Sequence, residues 1–331
     1  MTTVPEEMPT LRSSVPSARE WLRTFVIGIC MGSADAVPGV SGGTIALIAG
    51  IYERLIGAVN AITPERIGQF LRALTPLDGG ISLRDALAVF EEIDGWFVVG
   101  LCSGIAIAIV LVTRAIHVLD QTAPTLLFGF FFGLIAASAV VLLRGLSVET
   151  WFQAVAGVVG FLLAFLLAGE IEFLDGGGLL LVFVAGAVAV SAMILPGISG
   201  SLLLVILGQY TRMSETLSEF IDSLLGLVTG GSLGDVVTHG TVVVTFMLGG
   251  LVGLFTISRV VRRALDRNRR ATLAFLVALV VGALRAPVQE VQTEVGFTTE
   301  VAAMFLAAGV VGAVLLLVLD WYAVDLDLDS V

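Results

Sequence analysis

Two short runs in the sequence combine residue types that can bind an anion inside a membrane. Residues 38–43 read PGVSGG and residues 196–201 read PGISGS. Proline removes a backbone N–H donor and glycine adopts backbone angles closed to other residues, so each run predicts a break in a helix. A helix that restarts after the break exposes unpaired N–H groups and the positive end of its dipole. This chemistry, with added hydroxyl donors, predicts an anion site such as one for phosphate.

The predicted phosphate-binding residues are the glycines and hydroxyl residues of both runs. They are Gly39, Ser41, Gly42, Gly43 and Thr44 in the first run, and Gly197, Ser199, Gly200 and Ser201 in the second. The alternative interpretation is that these small residues only allow close helix packing. Because the motif occurs twice, each time with proline, we favour a shared site near the middle of the bilayer, as secondary transporters have.

The two runs lie in an internal repeat. Residues 33–54 align without a gap to residues 191–212, and ten of the 22 positions are identical. We call these two stretches the first and second broken segments. Fainter similarity continues beyond them, so the repeat predicts two halves of related structure.

The composition is that of a multi-pass membrane protein. Hydrophobic residues make up 57% of the 331 residues and charged residues 14%, with a mean hydropathy of +1.03, whereas a soluble chain carries about 25% charged residues. Six further apolar runs are long enough to cross about 30 Å of hydrocarbon. They are 95–119, 123–143, 150–169, 240–260, 271–289 and 299–321.

We therefore predict an all-α fold with two inverted repeats, each a broken, re-entrant helical hairpin followed by three transmembrane helices. The predicted order is an N-terminal tail, two membrane repeats and an acidic C-terminal tail, with boundaries at 1–21, 22–175, 176–321 and 322–331. Two short spans in place of each re-entrant hairpin would give the same topology, so the sequence leaves that alternative open.

The arginine distribution predicts the orientation. With the N-terminus in the cytoplasm, fourteen of the seventeen arginines fall on the cytoplasmic side, as the positive-inside rule expects. We predict a protein of the cell membrane with both termini in the cytoplasm. The seventeen basic residues include no lysine, and the net charge is −11. This composition suggests a salt-loaded cytoplasm such as that of a haloarchaeon, with GC-rich codon usage as the alternative.

Three charged residues near the first run are candidates for coupling or gating. Asp35 is a carboxylate at membrane depth, where charge is costly and usually functional. It is a candidate for binding a coupling H⁺ or Na⁺; the alternative is that it caps a helix by accepting hydrogen bonds from nearby N–H groups. Glu53 and Arg54 end the first broken segment and are expected to pair locally.

Two arginines and two tyrosines occupy similar positions in the two halves. Arg144 and Arg285 are candidates for contact with a phosphate headgroup, which suits the guanidinium fork; the alternative is snorkelling to the membrane surface. Tyr52 and Tyr210 are expected at the membrane interface, where aromatic residues are enriched.

The longest motifs resemble a known family. MGSADAVPGVSGGTIALIAGIYERLI at 31–56 and LPGISGSLLLVILGQY at 195–210 resemble the polyprenyl-phosphate (undecaprenyl-phosphate) transporter family, and the resemblance covers essentially the whole chain. It implies a flippase that returns a phosphorylated lipid carrier, of the undecaprenyl or dolichyl type, to the cytoplasmic leaflet for envelope and glycan synthesis. The expected partners are this lipid and membrane lipids, without nucleic acid, and we expect alternating access.

Two other function classes remain as alternatives. An anion channel or a secondary transporter of a small anion would use the same helix-end chemistry. A membrane enzyme would need a cluster of His, Arg and acidic residues for acid–base or metal chemistry, and the two histidines are scattered. We therefore predict no catalytic residue, no metal site and no cofactor beyond a coupling ion, and the sequence does not indicate the oligomeric state.

Overall fold

The computed structural model describes residues 16–75, 82–168, 178–192, 199–227 and 230–328. These ranges form fourteen helices and contain no strand, which confirms the all-α prediction. The helices are α1 Ala18–Ala36, α2 Gly42–Ile48, α3 Tyr52–Ala61, α4 Pro64–Leu74, α5 Leu83–Glu92, α6 Gly95–Thr122, α7 Pro124–Arg144, α8 Trp151–Leu167, α9 Leu179–Ala192, α10 Gly200–Ile206, α11 Tyr210–Gly226, α12 Leu233–Ala283, α13 Arg285–Glu294 and α14 Thr299–Leu328.

Five helical stretches within the described residues are long and apolar enough to cross a membrane, which confirms a multi-pass membrane protein. They are Gly95–Thr122, Pro124–Arg144, Leu233–Val261, Arg263–Glu294 and Thr299–Tyr322. The sixth predicted crossing corresponds to α8, an apolar helix of 17 residues that is about 26 Å long. Helices α1 and α14 extend into the predicted tails, α1 beginning at Ala18 and α14 ending at Leu328.

The arginine-rich stretch predicted to connect two crossings is helical except for a single bend. Asn268 alone has non-helical backbone angles inside α12, with φ −155° and ψ 84°. Its side-chain oxygen accepts a hydrogen bond from the Ala271 N–H at 3.1 Å, as a helix N-cap does. Asn268 therefore ends the first part of α12 and starts the second part.

The described parts of the two broken segments have matching helices. The first segment runs from the end of α1 through α2 to the start of α3, and the second runs from the end of α9 through α10 to the start of α11. Helices α2 and α10 begin and end at aligned positions. Each short helix ends in a Schellman motif around a glycine with positive φ, Gly50 at 68° and Gly208 at 63°. The N–H of the following residue, Ile51 or Gln209, bonds the carbonyl five residues before it, which closes the motif.

The repeat extends to the packing of the first helix of each segment. A β-carbon at Gly28 of α1 would collide with the carbonyl oxygen of Leu101 in α6. At the aligned position in α9, a β-carbon at Gly186 would collide with the carbonyl oxygen of Phe246 in α12. In both halves a glycine therefore lets the broken segment pack directly against the backbone of the next crossing, as small residues do in membranes.

The third crossing of each half packs against the second crossing of the other half. Helix α14 lies against α7, with Gly133 facing the backbone of Gly309. Helix α8 lies against the second part of α12, with Gly160 facing the backbone of Phe275. The two halves thus exchange their last helices.

Contacts divide the chain into two compact units that do not follow the repeat boundary. Unit 1 comprises Met1–Gly32 and Ile45–Ala108, and unit 2 comprises Ser33–Thr44 and Ile109–Val331. The break of the first segment and the described part of the second segment both belong to unit 2. The domain boundaries predicted from the sequence repeat stay a prediction.

Candidate functional site

A carboxylate spans the break of the first segment. Helix α1 ends at Ala36, Gly39 has φ 88°, and α2 begins at Gly42. The Gly42 N–H donates to Oδ1 of Asp35 at 2.7 Å, and the carboxylate lies so close that a β-carbon at Gly42 would collide with it. Asp35 therefore makes the local N–H contact expected of a capping residue, at the place where an external anion was expected.

The carbonyl groups released by this break are satisfied from two other helices. The Ser138 hydroxyl of α7 donates to the Gly39 carbonyl at 2.7 Å. The Tyr210 hydroxyl, at the start of α11, donates to the Ala36 carbonyl at 2.6 Å. Buried backbone groups without water need such partners. These bonds fix the backbone of the break in one conformation.

Tyr210 joins the two broken segments directly. It belongs to the second segment, bonds the first, and is 6% exposed. Its ring meets Phe131 of α7 edge-on, with ring centres 5.4 Å apart. Tyr210 is therefore a buried residue, whereas Tyr52 is 37% exposed. The expected position of both tyrosines at the membrane interface stays a prediction.

The second segment offers hydroxyl groups where the first has a carboxylate. The hydroxyls of Ser199 and Ser201 bond each other at 2.7 Å, and either can be the donor. Both side chains are buried, and Gly200 between them starts α10. Gly197 and Met193, which aligns with Asp35, lie outside the described residues.

The remaining predicted phosphate-binding residues line the start of α2. Ser41, Gly43 and Thr44 are half-buried, and Gly42 is buried. The Thr44 N–H donates to the Ser41 carbonyl at 3.1 Å, so the first turn of α2 is already formed. With Gly39, these residues and the Ser199–Ser201 pair all belong to unit 2.

Glu53 and Arg54 lie in unit 1, whereas the break of the first segment belongs to unit 2. Arg54 holds Asp94 with two bonds, Nε to Oδ2 at 2.5 Å and Nη2 to Oδ1 at 2.9 Å. Its guanidinium also lies over the Phe97 ring at 4.3 Å. The hydrogen bond to Asp94 raises the pKa of Arg54 above its ordinary value. Glu53 is exposed, so the partner of Arg54 is Asp94 rather than its neighbour.

The two candidate headgroup arginines differ in their surroundings. Arg285 donates from Nη1 to the Phe165 carbonyl at 2.8 Å and lies over the Phe165 ring at 4.5 Å. Arg144 is exposed at the end of α7. Arg285 is thus held at the C-terminal end of α8, and contact of either arginine with a headgroup stays a prediction.

Sequence reasoning missed Ser138 and did not predict the burial of Tyr210. Polar residues in membrane helices commonly bond their own backbone, as Ser191 does to the Ala187 carbonyl at 2.5 Å. Nothing about a lone serine in an apolar helix therefore indicates that its hydroxyl donates a hydrogen bond to a carbonyl far away in the sequence. The signal for Tyr210 was its alignment with Tyr52, which indicated the repeat and not the difference in burial.

Comparison with known proteins gives the family. The model of the undecaprenyl phosphate translocase-like family matches residues 31–300. A polyprenyl-phosphate transporter of Vibrio cholerae is 32% identical over 265 residues, which cover 80% of this chain and 76% of the relative. A polyprenyl-phosphate transporter of Staphylococcus aureus is 27% identical over 280 residues, which cover 81% and 86%.

No solved structure matches this chain. The relatives are named as transporters, which fits the prediction of a transporter over an enzyme, and the haloarchaeal interpretation stays a prediction. A family match over residues 31–300 includes both broken segments and every predicted crossing except the last, of which it reaches only the start. The chain belongs to the undecaprenyl phosphate translocase-like family.

Proposed function

We propose that this protein translocates a polyprenyl phosphate across the cell membrane and that its two broken segments form the phosphate site. One observation carries the site assignment: the two segments meet in unit 2 through the Tyr210–Ala36 hydrogen bond. The names of the two relatives support the substrate.

The phosphate needs the site because it carries a charge of about −1.5 to −2 near neutral pH and cannot cross hydrocarbon unaided. The buried hydroxyls of Ser199 and Ser201 replace part of its hydration, and Ser41 and Thr44 supply further hydroxyls. The prenyl chain is apolar and needs no polar path. Alternating access would expose this site to each leaflet in turn.

Asp35 gives the site a means of coupling. Its carboxylate already accepts the Gly42 N–H, and a phosphate beside it would meet a like charge. Binding of H⁺ or Na⁺ at Asp35 removes that repulsion, so ion and phosphate would travel together. The second segment has no carboxylate at the aligned position, where the residue is Met193.

The remaining charged candidates act outside the break in this proposal. The Arg54–Asp94 pair gates one end of unit 1, and Arg144 and Arg285 attract headgroups. The protein performs transport without catalysis. The arginine distribution supports cytoplasmic termini.

The test is reconstitution in vesicles, with the leaflet exposure of a polyprenyl phosphate followed with and without H⁺ and Na⁺ gradients. Ser41→Leu and Ser199→Leu should abolish translocation while the protein still inserts. Thr241→Leu is the control, because Thr241 is exposed and bonds only its own helix in the described structure. Normal translocation by both serine variants would remove the site assignment, and transport of inorganic anions alone would favour an anion channel.

A further inference from the structure

An apolar cavity lies beside the second broken segment, inside unit 2. It has a volume of about 270 Å³ and is walled by α8, α9, α10 and both parts of α12. Branched aliphatic side chains dominate its lining. They include Leu163 of α8, Val188 of α9, Leu203, Ile206 and Leu207 of α10, and Leu279 of α12.

The cavity offers nothing to a polar ligand or to water. Ser191 is the one hydroxyl residue among its described lining residues, and its O–H already donates to the Ala187 carbonyl at 2.5 Å. A buried water needs two or more polar partners, and cavities lined by aliphatic groups stay dry and take apolar guests. The cavity therefore suits a hydrocarbon.

The cavity and the proposed phosphate site share helix α10, which contributes lining residues to the cavity. The Ser199–Ser201 hydroxyl pair stands at the start of this helix. At a rise of 1.5 Å per residue, Leu203 lies about 6 Å and Leu207 about 12 Å along the axis from Ser199. A chain that begins directly at a phosphate bound to these hydroxyls is therefore close enough to enter the cavity.

The cavity also opens to the outside of the unit. Leu163 is 44% exposed and lies on α8 beside further exposed apolar side chains, among them Leu162 and Leu166. A chain longer than the cavity can leave between α8 and its neighbours and continue into the lipid.

We infer that this cavity binds the isoprene units nearest the phosphate of the translocated lipid, an inference that rests on the proposed function. A prenyl phosphate joins its branched chain directly to the phosphate, whereas a glycerophospholipid places a polar glycerol between phosphate and chains. The cavity thus selects the carrier from the surrounding phospholipid, and the protein holds the first part of the chain rather than leaving all of it in the bilayer.

The test places a bulkier side chain in the cavity from two different helices, with Leu203→Trp in α10 and Leu279→Trp in α12. Leu166→Trp is the matched control, since Leu166 is 61% exposed and does not line the cavity. Binding of a long-chain polyprenyl phosphate, a phosphatidic acid and inorganic phosphate is measured for each purified protein. Wild type and control should prefer the polyprenyl phosphate to phosphatidic acid. Filling should weaken polyprenyl phosphate binding by about tenfold or more, because several apolar carbons lose their place, with inorganic phosphate binding unchanged.

The outcomes separate this inference from the proposed function. Equal preference in the filled variants and the control would overturn the inference. A wild-type protein that binds with this preference but does not translocate the lipid would overturn the proposed function and leave the cavity assignment standing.

A second measurement needs no variant and covers the case of misfolded tryptophan proteins. A polyprenyl phosphate with a photoreactive group on its first isoprene unit is crosslinked to wild-type protein. Crosslinks to the lining residues of α8, α9, α10 or α12 support the inference, and crosslinks confined to other surfaces contradict it.

Discussion

In the first broken segment a carboxylate spans the break, whereas the second presents a pair of hydroxyls. The backbones match down to the glycine that ends each short helix, Gly50 and Gly208. The side chains do not: Asp35 bonds the Gly42 N–H, and Ser199 bonds Ser201. The difference teaches that the repeat preserves the short helix and the glycine that ends it, while the polar contacts at the start of that helix differ between the two copies.

The two tyrosines sharpen the same contrast. Tyr52 and Tyr210 occupy aligned positions, but only Tyr210 is buried and bonds the other segment. The second segment thus supports the first through its tyrosine. Four predictions test how far the two segments differ, from the largest expected effect to the smallest.

The largest effect is expected at Asp35. Asp35→Asn keeps an acceptor oxygen for the Gly42 N–H but removes the charge, so the protein should insert and translocation should no longer respond to a H⁺ or Na⁺ gradient. Asp35→Ala removes the cap as well and should also lower the free energy of unfolding by about 0.5–2 kcal/mol. Vesicle assays with imposed gradients measure the gradient response, and reversible unfolding in detergent measures the loss of stability. An unchanged gradient response in Asp35→Asn would exclude coupling at this residue.

The second prediction compares the aligned tyrosines. Tyr210→Phe leaves the Ala36 carbonyl without its donor and should lower the free energy of unfolding by about 1–3 kcal/mol, with reduced transport. Tyr52→Phe should change neither, because Tyr52 is exposed. Reversible unfolding in detergent measures the difference. Equal effects of the two variants would show that the segments are not held by Tyr210.

The third prediction tests the shared backbone. Alanine at Gly50 or Gly208 meets no atom within 4 Å, so its cost comes only from positive φ and should be about 1–2 kcal/mol in each variant. Unfolding of Gly50→Ala and Gly208→Ala should therefore give similar values. A large cost at one position alone would contradict the equivalence of the two short helices.

The smallest effect is expected at the hydroxyl pair. Ser199→Ala removes one partner of the Ser199–Ser201 bond and should lower the free energy of unfolding by about 0.5–1.5 kcal/mol. Phosphate-lipid binding should weaken more than stability does. Ser103→Ala is the control, because Ser103 bonds only the Gly100 carbonyl of its own helix in the described structure. A binding loss no greater than that of the control would remove Ser199 from the site.

The sequence predicted the structure correctly where a residue pattern has a single physical interpretation. Long apolar runs gave the crossings, and the first Pro-Gly run gave the break between α1 and α2, because proline and glycine act on the backbone itself. The Pro-Gly pair of the second run lies outside the described residues. The sequence did not reveal that Asn268 would be the only bend in α12, since an asparagine in an arginine-rich stretch is also compatible with a loop. Helices α4 and α5 were likewise not predicted, because their short amphipathic patterns lie in a polar region.

Partners between distant residues were the part that the sequence could not supply. The Ser138 hydroxyl donates a hydrogen bond to the Gly39 carbonyl, 99 residues away in the sequence. Arg54 pairs with Asp94 rather than with its neighbour Glu53. Such pairs depend on how helices pack, which residue type and spacing do not encode. The site residues themselves remain predictions that the experiments above address.

The exchange of last helices has a consequence for movement. Because α14 lies on α7 and α8 lies on the second part of α12, a rigid body that contains either of these pairs must include helices from both halves of the sequence. A transport cycle in which one whole repeat tilts against the other would separate the packed helix pairs α7–α14 and α8–α12. Cysteine pairs that lock α7 to α14 should therefore be tolerated during turnover, and a chain cut between residues 168 and 178 should work only when both pieces are made together.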